Sequence, residues 1–410
     1  MQRGIRFALL GGLAAGAVLS CDQSITAPGA CPDFCPSGEI QLIDTVLVGT
    51  MLVGLDSMLE LESFRGYVEP RVTTAMQVVG GGAAVESHGL IWFRPFGDSA
   101  AIDSVTLGPV VRQDSFELSL VILNQSPDVT GLEITVHRIS PSVDREGDFA
   151  ALAPFFEDST IVGVVAVPDD ISEDTVSTIS TILPIDAFPE FEAGDRQIAL
   201  GLSIRGGTPA FASLNTRESA LGALLTRFVL VEADGDSVER TDIRSPEFDG
   251  FVDTDLPSPL AGSLLIGGTP SSRTFVRIAL PPFIMDSSNI VRAHLLFVPV
   301  EPVLGAPSDT FEIVAEALGA DFGAKSPILS LADSLLVGVE VGVGTTDTVV
   351  IDISTIVAFW QATPDQVRTL VLRFLDEAGS VAELRVGSTR FLGSEPTIRV
   401  TYIPPFSFGR

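Results

Sequence analysis

The string Phe64-Arg65-Gly66-Tyr67-Val68 returns 184 residues later as Phe248-Asp249-Gly250-Phe251-Val252. It is the first of six matches that keep their order along the chain. Gln77-Val78-Val79-Gly80-Gly81 answers Leu264-Leu265-Ile266-Gly267-Gly268, and Glu86-Ser87-His88-Gly89-Leu90-Ile91 answers Ser271-Ser272-Arg273-Thr274-Phe275-Val276. Further on, Asp158-Ser159-Thr160-Ile161-Val162-Gly163 answers Asp333-Ser334-Leu335-Leu336-Val337-Gly338, and Ile179-Ser180-Thr181-Ile182-Leu183 answers Ile353-Ser354-Thr355-Ile356-Val357. Thr216-Arg217 and Thr389-Arg390 close the series, the offset having drifted to 173. One such pair arises by chance, but a collinear set with a slowly changing offset means tandem copies whose loops differ in length. A chain of 410 residues exceeds what one core usually holds, so the copies are expected to be separate domains.

Each copy reads as antiparallel β structure. Phe116-Glu117-Leu118-Ser119-Leu120-Val121-Ile122, Leu132-Glu133-Ile134-Thr135-Val136-His137 and Thr397-Ile398-Arg399-Val400-Thr401-Tyr402 alternate apolar with polar residues. That period of two puts one set of side chains on a core face and the other toward water. Turn signals fall between such runs, at Ala233-Asp234-Gly235-Asp236 and at Glu377-Ala378-Gly379-Ser380, where glycine permits the positive φ of a hairpin. The expected fold class is all-β: two tandem β-sandwich, jelly-roll-like domains held by burial of apolar faces against each other. One interruption is helical. In Asp352-Ile353-Ser354-Thr355-Ile356-Val357-Ala358-Phe359-Trp360 the spacing places Ile356, Val357 and Trp360 on one face, with Ser354 or Asp352 as N-cap. The first copy has Pro184 after its matching string, so its helix should be shorter or absent.

Ahead of the repeats, a basic start through Arg6, an apolar and small-residue run from Phe7 to Val18, and Leu19-Ser20-Cys21 read as an export signal rather than a fold element. Val18-Leu19-Ser20 before a cysteine resembles a lipobox, so Cys21 is the expected site of cleavage and lipidation. The run is too short to span a bilayer comfortably, whereas a diacylglyceryl thioether gains about 0.8 kcal/mol of membrane affinity per buried methylene. The two other cysteines, Cys31 and Cys35, are expected to form a local disulfide, since an exported chain meets oxidising conditions. The expected division is a signal peptide at 1–20, a tether at 21–45, a first sandwich at 46–243 and a second at 247–406. The chain is then exported and lipid-anchored to a bacterial membrane, facing the periplasm or the cell surface.

In the second copy, Arg273-Thr274-Phe275-Val276-Arg277-Ile278-Ala279-Leu280-Pro281, Val291-Arg292-Ala293-His294-Leu295-Leu296-Phe297, the segment from Asp352 to Trp360, and Glu395-Pro396-Thr397-Ile398-Arg399-Val400-Thr401-Tyr402 resemble, in this order, the motifs of DNRLRE domains. Those are disaggregatase-related modules, usually tandem, of large bacterial and archaeal surface proteins. The resemblance covers residues 247 to 405, and the first copy shares it only through the internal repeat. The Asp-Asn-Arg-Leu-Arg-Glu string that names the family is not in the sequence. The resemblance implies a jelly roll, and because some members are carbohydrate-binding modules it permits glycan binding.

Composition narrows the function classes. The net charge is −29, with Lys325 the single lysine, so a phosphate-binding surface for nucleic acid is disfavoured. His88, His137 and His294 are scattered without metal-ligand spacing, and His137 lies on the polar side of its strand, which reads as a surface histidine. No nucleophile elbow or phosphate-cradling loop is present. Asp253-Thr254-Asp255 and Asp234-Gly235-Asp236 are the carboxylate pairs that a structural calcium ion would use, but in a chain with 53 acidic residues such pairs arise easily. Trp92, inside Leu90-Ile91-Trp92-Phe93, and Trp360 both read as core rather than as sugar platforms. The expectation is a non-enzymatic envelope lipoprotein with a structural or adhesive role. A carbohydrate-binding surface lipoprotein is the first alternative, and an enzyme acting on envelope polysaccharide the second. Glycans or other envelope proteins are the partners these readings imply.

Overall fold

The computed structural model describes residues 42–48, 59–171, 177–192, 196–329 and 335–405. The export signal, Cys21, Cys31, Cys35 and nearly all of the tether lie outside the described residues.

The chain is all-β. Strands β1 (Ile43–Val48) and β2 (Leu59–Arg65) come first, then β3 (Ala75–Gly80), β4 (Ser87–Phe93), β5 (Ser99–Ala101), β6 (Leu107–Gln125), β7 (Glu133–Ile139) and β8 (Ile161–Ala166). The series goes on with β9 (Ser177–Pro184), β10 (Ala199–Ile204), β11 (Ala210–Asn215), β12 (Leu224–Ala233), β13 (Asp236–Arg244), β14 (Pro246–Asp253), β15 (Ser263–Gly267) and β16 (Ser272–Ile278). β17 (Asn289–Phe297), β18 (Thr310–Ala317), β19 (Leu336–Gly342), β20 (Val349–Asp352), β21 (Thr369–Phe374), β22 (Glu383–Gly387) and β23 (Thr397–Ile403) complete it.

Strand order carries the duplication into three dimensions. One run pairs as β8-β7-β10-β4-β3-β11, and the corresponding sheet of the second copy pairs as β19-β18-β21-β16-β15-β22. Opposite these lie β13-β12-β6-β9 and β1-β23-β17-β20. Removing the short β5 lets β1 to β12 map one for one onto β13 to β23. In the first sandwich β11 also pairs with β6, so the two sheets roll into one; in the second, the described residues mark the same seam with the isolated bridges Pro299–Val386 and Leu304–Glu383.

The pairing also shows an exchange. β1 lies antiparallel to β23, and β2 to β16, so the first two strands of copy one complete the sandwich of copy two. In return, β13 pairs with β12, and β14 with β4. The cores agree with this assignment: Ile43, Leu47 and Leu61 pack on the core formed by residues such as Val276, Ile313 and Ile398, while Phe251 sits in the core with Phe116, Val136 and Leu202. Strand pairing thus divides the chain elsewhere than at 46–243 and 247–406: one sandwich is β3 to β14, and the other is β15 to β23 with β1 and β2 added.

Within the sandwiches the alternation performs as read. Phe116, Leu118, Leu120 and Ile122 of β6 point into the core, as do Ile398, Val400 and Tyr402 of β23. Each large apolar side chain so removed from water contributes roughly 1.5–3 kcal/mol. Asp234 and Gly235 both have positive φ, 51° and 85°, which makes the tight two-residue turn of the β12–β13 hairpin. The turn at 377–380 differs from expectation. It joins β21 to β22, which do not pair with each other, and Ala378 takes the positive φ.

A helix runs over Ser354–Ala362 with Ile356, Val357 and Trp360 buried. Its N-cap residue is Ile353, whose side chain accepts no hydrogen bond, and the nearby backbone N–H of Ser354 donates to Asp352 at 3.0 Å instead. In the first copy Ile179-Ser180-Thr181-Ile182-Leu183 belongs to β9, followed by one short 3-10 turn at Ile185–Ala187. The two matching strings therefore occupy different structures.

Candidate functional site

The exchange brings β2 and β22 to a buried polar junction. Glu383 is fully buried and Arg385 is 1% exposed at its side chain. The Arg385 guanidinium donates from Nε to Glu383 at 2.7 Å, from Nη1 to Glu301 at 3.0 Å, and from Nη2 to the Pro257 carbonyl. Arg65, the last residue of β2, donates to the other Glu383 oxygen and, at 3.2 Å, to Ser272. A carboxylate that accepts from a guanidinium at each oxygen has its charge compensated, which is what lets it persist away from water.

A second polar group spans the two sandwiches. Ala306 and Val381 from the second copy insert into the core of the first, beside Gln77 of β3. Gln77 Nε2 donates to Asp309 Oδ2 at 2.6 Å, and Gln77 Oε1 accepts from the Val381 backbone N–H at 2.9 Å and from Ser380 Oγ at 3.2 Å. Ser380 Oγ also lies 3.3 Å from Asp309 Oδ2, and the Thr310 N–H holds Asp309 Oδ1 at 2.9 Å. Burial pushes the Asp309 carboxyl above its usual range, and the hydrogen bonds from Gln77, Thr310 and Ser380 oppose it.

His137 is fully buried, not on the surface. Residues 141–160 fold over the outer face of β4, β10 and β7, where Leu152 and Phe156 pack on Leu90, Trp92 and Ile139. The polar side of β7 is thereby covered. His137 Nδ1 meets Thr160 Oγ1 at 3.0 Å and Nε2 meets Ser203 Oγ at 2.8 Å. The His88 ring lies 4.0 Å from that of Phe156, on the same face. Burial, with His137 nearby, holds His88 down to about 4; burial and then Arg205 hold His137 to about 4.

The sign of the resulting pH effect follows from linkage. An imidazole that must stay neutral in the fold leaves stability whole above its unfolded value near 6.5, and withdraws it as pH falls toward 4, up to about 3 kcal/mol for each ring. Asp249 and Asp253 act oppositely. Burial raises them to about 7 and about 6, so their contribution is full at pH below the unfolded carboxyl value and is lost as pH rises through those figures. Because these trends offset in a melting curve, the histidines are best read individually. Proton NMR at pH 5.5 is expected to show His88 and His137 still neutral; a midpoint near 6.5 for either ring would contradict the buried face.

The remaining sequence candidates separate. Asp253 is hydrogen-bonded by Thr269, and Asp234 forms the hairpin turn with Gly235. Among the described residues no group of three or more His, Cys, Asp or Glu gathers as a metal site. Trp92 is buried against Phe248 and donates to the Pro141 carbonyl at 3.4 Å, and Trp360 is fully buried. His294 is half-buried on β17. Among the described residues no helix is long and apolar enough to cross a membrane.

Sequence reasoning missed an open cleft of about 500 Å³ on the first sandwich. Arg94, Arg217, Ser119, Thr178, Ser219 and Ser245 supply its polar lining, with Val121, Leu221 and Leu224 among its apolar residues. Arg217 pairs with Glu218 at 3.1 Å, while Arg94 makes no ion pair among the described residues. These residues come from separated segments, so no local motif announces them.

Set against known proteins, the chain matches no family model and no curated protein.

Proposed function

We propose that this chain is a non-enzymatic, lipid-anchored protein of the bacterial cell envelope, in which two joined sandwiches serve a structural or adhesive role. The observation that carries the reading is the reciprocal strand exchange. Two sandwiches that exchange strands and are bridged by the buried Gln77–Asp309–Val381 hydrogen bonds cannot pivot freely on a linker, which suits a protein that must hold a surface at a fixed geometry. The export signal and the lipobox-like Val18-Leu19-Ser20 before Cys21 supply the anchor, and the Cys31–Cys35 staple belongs to the tether. The resemblance to DNRLRE surface modules points the same way.

The test is expression of the full chain and of Cys21→Ser in a bacterium that lipidates its own lipoproteins. The parent is expected in the membrane fraction and to increase cell adhesion to a solid surface or to other cells, whereas Cys21→Ser is expected in the soluble exported fraction without that gain. A Cys21→Ser protein that stays in the membrane, or a purified chain that depolymerises envelope polysaccharide, would overturn the proposal.

The cleft favours carbohydrate binding as a second reading, because hydroxyls and a guanidinium without an ion-pair partner among the described residues offer hydrogen bonds to sugar oxygens above apolar contacts. On this reading Arg94→Ala weakens binding in a polysaccharide pull-down by tenfold or so, the loss of about 1.4 kcal/mol that one charged hydrogen bond commonly supplies. Binding unchanged by Arg94→Ala would remove the cleft from consideration.

A further inference from the structure

We propose that Ser380 and Gln77 close an intramolecular ester across the junction between the two sandwiches, with Asp309 as the proton carrier and ammonia as the product. The residues are 303 apart in sequence and belong to different sandwiches, yet they form one hydrogen-bonded group. Three features of a nucleophilic acyl transfer coincide there. The nucleophile, Ser380 Oγ, lies 3.2 Å from Gln77 Oε1 and so stands beside the carboxamide. One oxygen of the base, Asp309 Oδ2, faces both the nucleophile at 3.3 Å and the leaving nitrogen, Gln77 Nε2, at 2.6 Å. The Val381 backbone N–H already donates to Gln77 Oε1 at 2.9 Å, where negative charge develops during the attack.

The step balances within these groups. Ser380 Oγ forms a bond to Gln77 Cδ as its proton passes to Asp309 Oδ2. The oxyanion on Gln77 Oε1 is held by Val381 N–H. When it collapses, the Cδ–Nε2 bond breaks and Asp309 returns the proton to the nitrogen, which departs as ammonia. One C–O and one N–H bond replace one O–H and one C–N bond, and nothing is oxidised or reduced. An ester is a less stable acyl group than an amide, so the reaction depends on enforced proximity and on the escape of ammonia. Ser380 is only half-buried and opens the exit, whereas Gln77 and Asp309 are 2% and 5% exposed, which limits hydrolysis of the product. Asp309 itself is fixed by the Thr310 N–H, and its burial makes the carboxylate a stronger base than a surface one. The bond would rivet the strand-exchanged pair of sandwiches at the point where copy two enters the core of copy one, and it does not depend on what the protein adheres to.

Intact-mass spectrometry of the purified, denatured chain tests the proposal. The parent is expected to be lighter than its sequence mass by one ammonia, about 17 Da. A protease digest is expected to yield a peptide containing Gln77 joined to one containing Ser380, which hydroxylamine separates. Ser380→Ala and Asp309→Asn are expected to keep the full mass, and Ser380→Thr, which retains a hydroxyl, to restore the loss. The parent at full mass after prolonged incubation in the folded state would overturn the proposal, whether or not any variant folds. So would an ammonia loss that persists in Ser380→Ala.

Discussion

Glu383→Ala is expected to lower stability by about 3–5 kcal/mol, because it leaves Arg385 charged and 1% exposed with only Glu301 and a carbonyl beside it. The same change takes from Arg65 its carboxylate partner and leaves it only the bond to Ser272, so the end of β2 is held less firmly on the second sandwich. The loss should therefore appear both in a denaturant titration and as faster amide exchange along β2 and β16. Glu301→Ala should cost less, since Glu301 is partly exposed and leaves the stronger partner of Arg385 in place. The double replacement Glu383→Met with Arg385→Met should recover much of the stability, as apolar residues of similar volume often substitute for a buried ion pair. If Glu383→Ala melts like the parent, the junction is not holding the exchanged strands.

Trp360→Ala is expected to cost a further large sum when made alone, about 3–5 kcal/mol, by leaving a cavity at the centre of the second core. The ring lies on the buried face of the helix Ser354–Ala362 with Ile356 and Val357. Its Nε1 has no hydrogen-bond partner among the described residues. Trp360→Phe consequently forfeits volume but no hydrogen bond, and a clearly smaller loss is expected, checked by the denaturation midpoints of the two variants at equal slope. Comparable losses for Phe and Ala would mean that the polar edge of the indole, not its bulk, secures the helix.

Much of this fold was legible where local pattern and packing agree. The period of two in β6 and β23, the Asp234-Gly235 turn and the apolar stripe ending at Trp360 are local features, and the structure uses each as read, whereas β7 is buried on both faces. The repeat was legible too, but internal similarity shows only which segments are alike. It carries no information about which copy a strand pairs with, so the exchange of β1 and β2 against β13 and β14 was hidden. His137 was misplaced for a related reason. Alternation identifies two faces of a strand, and a distant segment, here 141–160, covers the one that would otherwise be wet. Glu383 follows the same logic: it opens a short strand whose five residues are all buried because Arg65 of β2 and the approach from Pro257 and Glu301 close over the polar face. At Ile179 and Ile353 similar strings fall in a strand and at the start of a helix, so likeness of four or five residues did not guarantee like structure. The Gln77–Asp309–Ser380 group could not have been found from spacing, since its members meet only across the junction.

The central claim is that β1 and β2 complete the second sandwich, and a designed disulfide tests it most directly. Ser63 of β2 stands opposite Thr274 of β16 in the antiparallel register, and directly paired residues have Cα atoms about 4.5–5.5 Å apart, within reach of a disulfide. In a background with Cys21, Cys31 and Cys35 changed to serine, Ser63→Cys with Thr274→Cys should oxidise to one bond within a single chain, seen as a faster band on non-reducing electrophoresis and as the joined peptide in a digest. Two thiols that stay free, or bonds formed only between chains, would contradict the exchange.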